Sequence, residues 1–143
     1  MANEATISRS SYEVCSASAA MAAGGYSTGS RTAIADITGI TGTQKDYPYL
    51  DFQLKITSET ITNNETVNLY RISSDGTDTE STASTTFNGH YVGSFVLEEA
   101  STVAYLYGVK NVDQNDTFIW ENGSAASLTA SLEVRTRTVV PGA

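Results

Sequence analysis

Apolar and polar residues alternate with a period of two along much of the chain, most regularly over residues 49–57. Strict alternation is typical of a β-strand that has one buried face and one solvated face. The segment therefore predicts a strand whose two faces carry different side chains. The predicted core face carries Leu50, Phe52, Leu54 and Ile56, and the predicted solvated face carries Asp51, Gln53 and Lys55.

Further short apolar segments, separated by turn residues, predict a chain made almost entirely of strands. Asn122-Gly123 predicts a type I′ hairpin before the last strand, and residues 77–86 predict an exposed loop. The last strand is expected to face inward with Leu128, Ala130, Leu132 and Val134, and outward with Glu133, Arg135 and Arg137. The further predicted strands are 33–40, 66–73, a short piece near Phe87, 91–97, 102–109, 116–121 and 126–139.

Seven or eight short strands, each with one apolar face, must cover those faces against one another. Two packed antiparallel sheets do this, and the absence of a repeated motif favours a sandwich over a propeller or a solenoid. We therefore predict an all-β fold, a two-sheet antiparallel β-sandwich that is jelly-roll-like. An immunoglobulin-like sandwich is the alternative, although the sequence lacks that fold's usual Cys-Trp-Cys core.

Residues 1–31 differ from residues 32–143 because they are rich in Ala, Ser and Gly and hold few large apolar side chains. We interpret residues 1–31 as an extended N-terminal arm and residues 32–143 as the β-sandwich domain. Within the arm, residues 13–23 predict a weak helix that ends at Gly24-Gly25. The arm is expected to order against a partner or against its own domain. Its candidate partner-binding residues are Tyr12, Met21, Tyr26 and Arg31.

Composition and charge agree with a β fold and limit the partners. The chain has 143 residues, which suits one domain, with 40% apolar residues, 17% charged residues and a net charge of −8. Thr and Ser make up about a quarter of the chain, and Thr favours strands whereas Ser favours turns. Such acidity disfavours a nucleic-acid partner. The sequence shows neither a signal-peptide pattern nor an apolar run of membrane-spanning length, so we expect no membrane partner and assembly in a host cytoplasm.

The sequence predicts neither catalytic residues nor a metal or cofactor site, and we expect a protein that is not an enzyme. The single cysteine, Cys15, falls in the predicted arm, where a nucleophile would lack a rigid frame. The single histidine, His90, is expected to be solvated beside a turn, and one Cys with one His does not make a zinc site. The acidic loop of Asp113, Asn115 and Asp116 lacks the glycine and the distal Glu of a calcium loop, which leaves at most a weak ion site.

The aromatic residues raise a second type of function, since β-sandwich proteins that bind sugars stack pyranose rings on Tyr and Trp. The chain has eight Tyr and one Trp; Tyr105 and Tyr107 share a predicted strand face, and Tyr47 and Tyr49 flank Pro48 at the entrance of a strand. Aromatic residues on neighbouring strands usually serve packing, so we expect most of them in the core. Trp120, just before the predicted hairpin turn, is the aromatic residue expected to be exposed.

Four segments between residues 46 and 138 resemble a family of small tailed-phage virion proteins: 68–76, 91–97, 103–109 and 118–128. In that family a strand that ends in a polar-Asp-Gly turn precedes a Val-Gly-Ser-Phe strand. A later hairpin carries an aromatic-aliphatic pair, then Glu-Asn, a small-residue turn and a long final strand. The sequence is similar to jelly-roll proteins of the capsid decoration, or cement, type, and departs from them by lacking prolines at 110–115.

The resemblance implies a virion protein on the outer capsid surface that docks on the capsid lattice and stabilises the expanded head. Its implied partner is the major capsid protein, and we expect a homo-oligomer, a trimer in preference to a dimer. The family implies no catalytic residues. The alternative function is that of a carbohydrate- or receptor-binding β-sandwich module of a phage tail or fibre.

Overall fold

A computed structural model describes residues 6–27, 31–37, 40, 49–58, 65–73, 89–99 and 102–140. Eight strands and one 3-10 turn, Ile34–Asp36, make up its regular structure. The predicted strand piece near Phe87 and the predicted loop 77–86 lie outside the described residues. The strands are β1 (Thr6–Arg9), β2 (Glu13–Met21), β3 (Tyr49–Ser58), β4 (Glu65–Ile72), β5 (His90–Leu97), β6 (Val103–Lys110), β7 (Thr117–Asn122) and β8 (Leu128–Val140).

The strands form two antiparallel sheets. In the large sheet β6, β3 and β8 lie side by side, and β1 and β2 follow one another along the other edge of β8. The small sheet has the order β5-β4-β7. The chain passes between the sheets after β3, after β5 and at both ends of β7. This arrangement confirms the predicted all-β two-sheet sandwich, and its strand order is jelly-roll-like.

The core lies between the sheets and is built on β3 and β8. All four apolar residues predicted to face inward from β3 are buried, as are the four from β8. The register explains this, because Phe52 lies opposite Val134 and Leu54 lies opposite Leu132. From the small sheet, the Phe118 ring packs 4.7 Å from the Phe52 ring, measured between centroids. Both predicted inward faces are confirmed.

The predicted solvation of the other face of β3 is wrong for Asp51 and Gln53. Asp51 is 0% exposed and Gln53 is 8% exposed, whereas Lys55 is exposed as predicted. The cause is the neighbouring strand β8, which places Arg135 opposite Asp51 and Glu133 opposite Gln53. Long side chains on one strand cover shorter ones on the next. The two-residue period therefore identifies the faces, but the neighbouring strand decides which residues water reaches.

The N-terminal segment forms strands of the large sheet. β1 pairs with residues 137–140 of β8, and β2 pairs with residues 128–134. The predicted weak helix over 13–23 is wrong, because the open edge of β8 offers a ladder of backbone hydrogen bonds that overrides the helix preference of Ala. Cys15 is 1% exposed and belongs to the core. The arm is expected to order against a partner or against its own domain, and its described residues lie against their own domain.

The predicted strand over 33–40 is also wrong for the described residues 33–37. They form the turn Ile34–Asp36, with Ile34 buried. The backbone N–H of Ile34 donates to the carbonyl oxygen of Asp116, and that of Ala35 donates to the carbonyl oxygen of Gln114. This segment therefore satisfies its backbone against the loop before β7 rather than by joining a sheet.

Trp120 is fully buried, so its predicted exposure is wrong. It lies opposite Leu69 of β4. The predicted hairpin at Asn122-Gly123 is wrong as well, because β7 belongs to the small sheet and β8 to the large sheet. The Asn122 side chain instead stabilises the crossing: its Oδ1 accepts from the Ser124 N–H at 3.0 Å, and its Nδ2 donates to the Ala126 carbonyl oxygen at 2.8 Å.

We predict that Phe52→Ala lowers the free energy of unfolding by about 3–5 kcal/mol, because it leaves a cavity in the core. Gln53→Ala should cost about 1 kcal/mol, since it removes one buried side-chain hydrogen bond. Val96→Ala, at a side chain that is 58% exposed, is the control and should cost less than about 1 kcal/mol. Urea denaturation measures all three. A larger loss for Gln53→Ala than for Phe52→Ala would contradict the described facing of β3.

We also predict that a thiol reagent modifies Cys15 at least about tenfold more slowly in the native protein than in urea. Burial raises the pKa of this thiol above its ordinary value, so the reactive thiolate is scarce as well as inaccessible. The absorbance of the chromophore that the reagent releases measures the rate of modification. Equal rates in both states would show that β2 does not form part of the sheet in solution.

Candidate functional site

Charged and aromatic side chains converge on the outer face of the large sheet, on the side away from the core. Directly opposed residues of an antiparallel pair point to the same face, so the register shows which side chains meet there. We use the term outer face for these residues: Arg9, Tyr12, Tyr49, Asp51, Gln53, Lys55, Tyr105, Tyr107, Lys110, Glu133, Arg135 and Arg137.

One row of the outer face crosses four strands near the end of the sheet. Arg9 of β1 lies opposite Arg137 of β8, Arg137 opposite Tyr49 of β3, and Tyr49 opposite Lys110 of β6. The Arg137 guanidinium lies over the Tyr49 ring, 5.8 Å from its centroid. No carboxylate among the described residues lies within ion-pair distance of Arg9 or Lys110. This row therefore carries three positive charges next to one partly exposed tyrosine.

The next row is organised around a buried carboxylate. Arg135 Nε donates to Asp51 Oδ2 at 3.0 Å, and Arg137 Nη2 lies 3.5 Å from Asp51 Oδ1. The backbone N–H of Gly108 donates to Asp51 Oδ1 at 2.9 Å. Asp51 is fully buried, whereas the side chains of Arg135 and Arg137 remain 22% and 26% exposed. One carboxylate thus holds two guanidinium groups in fixed positions while leaving part of each open to solvent.

A bulge in β6 makes the third bond to Asp51 possible. The register of β3 and β6 shifts between Leu50 and Phe52, so that Tyr107 and Gly108 together oppose Asp51. Gly108 has a φ of +73°, a backbone conformation that residues with a side chain rarely adopt. A Cβ atom at this position would lie only 2.8 Å from Arg137 Nη2. The backbone conformation therefore favours glycine, and a side chain there would also displace the Arg137 guanidinium.

The third row is polar and closes the outer face toward the other end of β3. Gln53 Nε2 donates to Glu133 Oε2 at 2.9 Å, and Lys55 Nζ lies 3.3 Å from Glu133 Oε1. Counting all rows, the outer face holds five of the seven Lys and Arg residues that the structure describes but only two of the ten described Asp and Glu residues. Its net charge is therefore +3, on a chain whose total is −8.

Besides Tyr49, three tyrosines line this basic surface. The rings of Tyr105 and Tyr107 are nearly parallel, with 11° between their planes and 5.6 Å between centroids. Tyr12 lies 6.3 Å from Tyr105, and the Arg135 guanidinium is 4.7 Å from the Tyr12 ring centroid. Burial is the main cause that raises the pKa of Tyr12 to about 12.

The expectation of core packing is wrong for Tyr49, Tyr105 and Tyr107, which are 43–56% exposed. Tyr47 lies outside the described residues. The β6 register accounts for the two tyrosines of that strand, because Leu106 opposes Phe52 and turns inward, which leaves Tyr105 and Tyr107 on the outer face.

An open depression of about 450 Å³ lies within the outer face and is lined by Arg9, Asp51, Tyr107, Arg135 and Arg137. Asp51 forms part of the lining although its carboxylate is already bonded. The positively charged groups of the lining belong to the three arginines. Guanidinium groups bind carboxylates and phosphates through paired hydrogen bonds. The depression is therefore suited to an anionic group.

The four candidate partner-binding residues of the N-terminal segment do not meet at one place. Tyr12 belongs to the outer face, whereas Met21 is half-buried and packs against the core. Tyr26 contacts the small sheet, where a hydrogen bond to Glu121 is the largest cause that raises its pKa to about 12. Arg31 Nε donates to Thr117 Oγ1 at 3.0 Å.

Sequence reasoning missed most residues of the outer face as a candidate site. The available signal was the outward alternation of Arg135 and Arg137 on the predicted last strand. Their meeting with Tyr105 and Tyr107 of β6 depends on β3 lying between the two strands, which no local pattern reveals.

The residues considered for chemistry are separated in the structure. Cys15 is in the core, and His90 begins β5 opposite Arg71. Asp116 is buried and lies 3.4 Å from Arg71 Nε, while the Asp113 carboxylate accepts from the Asn115 N–H. Within the described ranges, no group of three or more His, Cys, Asp or Glu side chains is placed to hold a metal ion. No helix in those ranges is long and apolar enough to cross a membrane.

We predict that Asp51→Asn lowers the free energy of unfolding by about 3 kcal/mol, since it leaves two partly buried guanidinium groups without their carboxylate. The control Lys55→Met breaks an ion pair whose lysine is 50% exposed and should cost less than about 1 kcal/mol. Urea denaturation at neutral pH compares the two. Equal losses would show that Asp51 does not organise the outer face.

Comparison with known proteins adds no family to these observations. A scan against protein-family models and a search of curated proteins found no match to this chain. The resemblance to phage decoration proteins stays a prediction that rests on the sequence segments between residues 46 and 138.

Proposed function

We propose that this protein works by docking on other protein subunits through the outer face of the large sheet. The observation that supports this proposal is the combination there of half-exposed tyrosines with arginines held in place by Asp51. Tyr and Arg are the residue types enriched at the centres of protein interfaces, where a few of them supply most of the binding energy.

The rigidity of this surface favours tight docking. Tyr105 and Tyr107 lie on β6, which is paired with β3, and Arg135 is bonded to Asp51. Ordering a long side chain on binding costs about 0.5–1.5 kcal/mol. Because Asp51 already holds the Arg135 side chain, less of that cost remains when a partner binds.

The resemblance noted above supplies the context of the proposal: a decoration, or cement, protein on the outer surface of a tailed-phage capsid. Its partner would be the major capsid protein. A protein that binds the expanded lattice and not the unexpanded one stabilises the expanded head by mass action. Many copies on one shell, or a trimer of this chain, would add avidity, so that a modest contact per copy suffices.

We predict that Tyr107→Ala weakens co-sedimentation with expanded, DNA-free capsids by at least about tenfold, as expected for an aromatic residue at the centre of an interface. Val96→Ala is the control, because Val96 is 58% exposed but belongs to the small sheet, away from Tyr107. The measurement uses capsids assembled from the major capsid protein encoded with this chain. Wild-type protein that remains in the supernatant, or equal losses for the two variants, would contradict the proposal.

A carbohydrate- or receptor-binding module of a phage tail or fibre is the second candidate. The observation that favours it is the parallel pair of half-exposed rings, Tyr105 and Tyr107, beside the arginines. Aromatic rings stack on sugars, and Arg can bind the carboxylate of an acidic sugar. Affinity electrophoresis in gels that contain host polysaccharide separates the candidates, since retardation that Tyr107→Ala abolishes would favour this second function.

A further inference from the structure

We propose that the outer face binds an extended, acidic polypeptide segment of its partner, with one carboxylate held in the depression between Arg9, Arg135 and Arg137. This inference rests on the proposed docking function and specifies the chemistry of the partner. It is carried by three observations: the sign of the charge, the free donors of the arginines and the size of the surface.

The positive charge of the outer face favours an anionic partner, and the negative charge around it favours a short one. The outer face carries five cations and two carboxylates, whereas the other described residues carry two cations and eight carboxylates, a net charge of −6. A long polyanion such as a nucleic acid would extend past the outer face and meet this negative surface. A short acidic segment meets only the positive region, so the charge distribution favours a peptide.

The arginines of the depression retain hydrogen-bond donors for such a segment. Each guanidinium has five N–H donors, and Asp51 lies against only the Nε of Arg135 and one Nη of Arg137. Arg9 is exposed and has no carboxylate partner among the described residues. Asp51 balances one of the three positive charges, which leaves two around the depression. A partner carboxylate there would accept paired hydrogen bonds and balance a second charge.

The size of the outer face fits one extended segment rather than a globular surface. Four neighbouring strands span about 14 Å, and the rows from Arg9 to Lys55 span about 20 Å along the strands. The area enclosed by these two lengths is well below the roughly 800 Å² that each partner of a standard interface buries. About six residues of extended chain cover 20 Å. Tyr105 and Tyr107 lie beside the same path and would contact the side chains between the acidic ones.

The test uses a fluorescein-labelled peptide of six glutamates as the probe, with a peptide of six glutamines as its neutral control. Fluorescence anisotropy with the full-length protein should show binding of the first and not of the second. Affinity should fall several-fold between 50 and 200 mM salt, because the contacts are largely between exposed charges. Equal affinity for the two peptides would overturn the proposal. Equal affinity for the glutamate peptide at the two salt concentrations would overturn it as well.

Variants locate the site. Arg9→Gln should weaken glutamate-peptide binding at least about fivefold, because it removes an exposed cation that lines the depression. Arg31→Gln removes the same charge away from the outer face, where Arg31 donates to Thr117, and should leave affinity within about twofold. Thermal melts of both variants check that each is folded. Equal losses in the two would show that net charge, and not the depression, controls binding.

A third probe tests nucleic acid as the occupant, and a parallel assay separates this inference from the proposed function. Tighter binding of a single-stranded hexathymidine than of the glutamate peptide would overturn the choice of a polypeptide. In one outcome, capsids bind the protein and Tyr107→Ala reduces that binding, but Arg9→Gln does not and the glutamate peptide is not bound. The inference then fails and the proposed function stands. If the glutamate peptide binds in an Arg9-dependent way and capsids do not, the inference stands and the proposed function fails.

Discussion

The buried carboxylate of Asp51 holds together the surface on which the proposed function depends. It links three strands, since β3 carries it, Gly108 of β6 donates to it, and Arg135 and Arg137 of β8 flank it. Burying a charge costs several kcal/mol unless partners compensate, and an apolar replacement of similar shape is often equally stable. The gain for this protein lies in what Asp51 does to the arginines, because it fixes their positions before a partner arrives.

β8 connects this surface with the stability of the whole sandwich. It is the longest described strand, with 13 residues, and it pairs with β3 along one edge and with β1 and β2 along the other. Its inner residues lie in the core, while its outer residues supply Glu133, Arg135 and Arg137. The alternation of a single strand therefore sets both the packing between the sheets and the charge of the outer face.

The chemistry of the described residues is concentrated on a sheet surface rather than in an enclosed cavity. Parallel tyrosine rings and partly exposed arginines lie on paired strands, and five of the seven described Lys and Arg residues lie on one small part of an acidic protein. These features suit recognition of another chain, and their small area suits repeated, modest contacts on an ordered lattice. The capsid is the lattice that the sequence resemblance favours.

The sequence by itself determined the fold class, because a period of two fixes which face of a strand is apolar, and the inward residues of β3 and β8 are buried as it predicts. Tertiary structure decided everything that depends on neighbours in space. The Ala-rich segment 13–21 became a strand because β8 had an open edge, and Trp120 was buried because it lies beside Leu69 of β4 in the core. The site arose in the same way, since Arg9 and Tyr107 meet only through strands far apart in sequence.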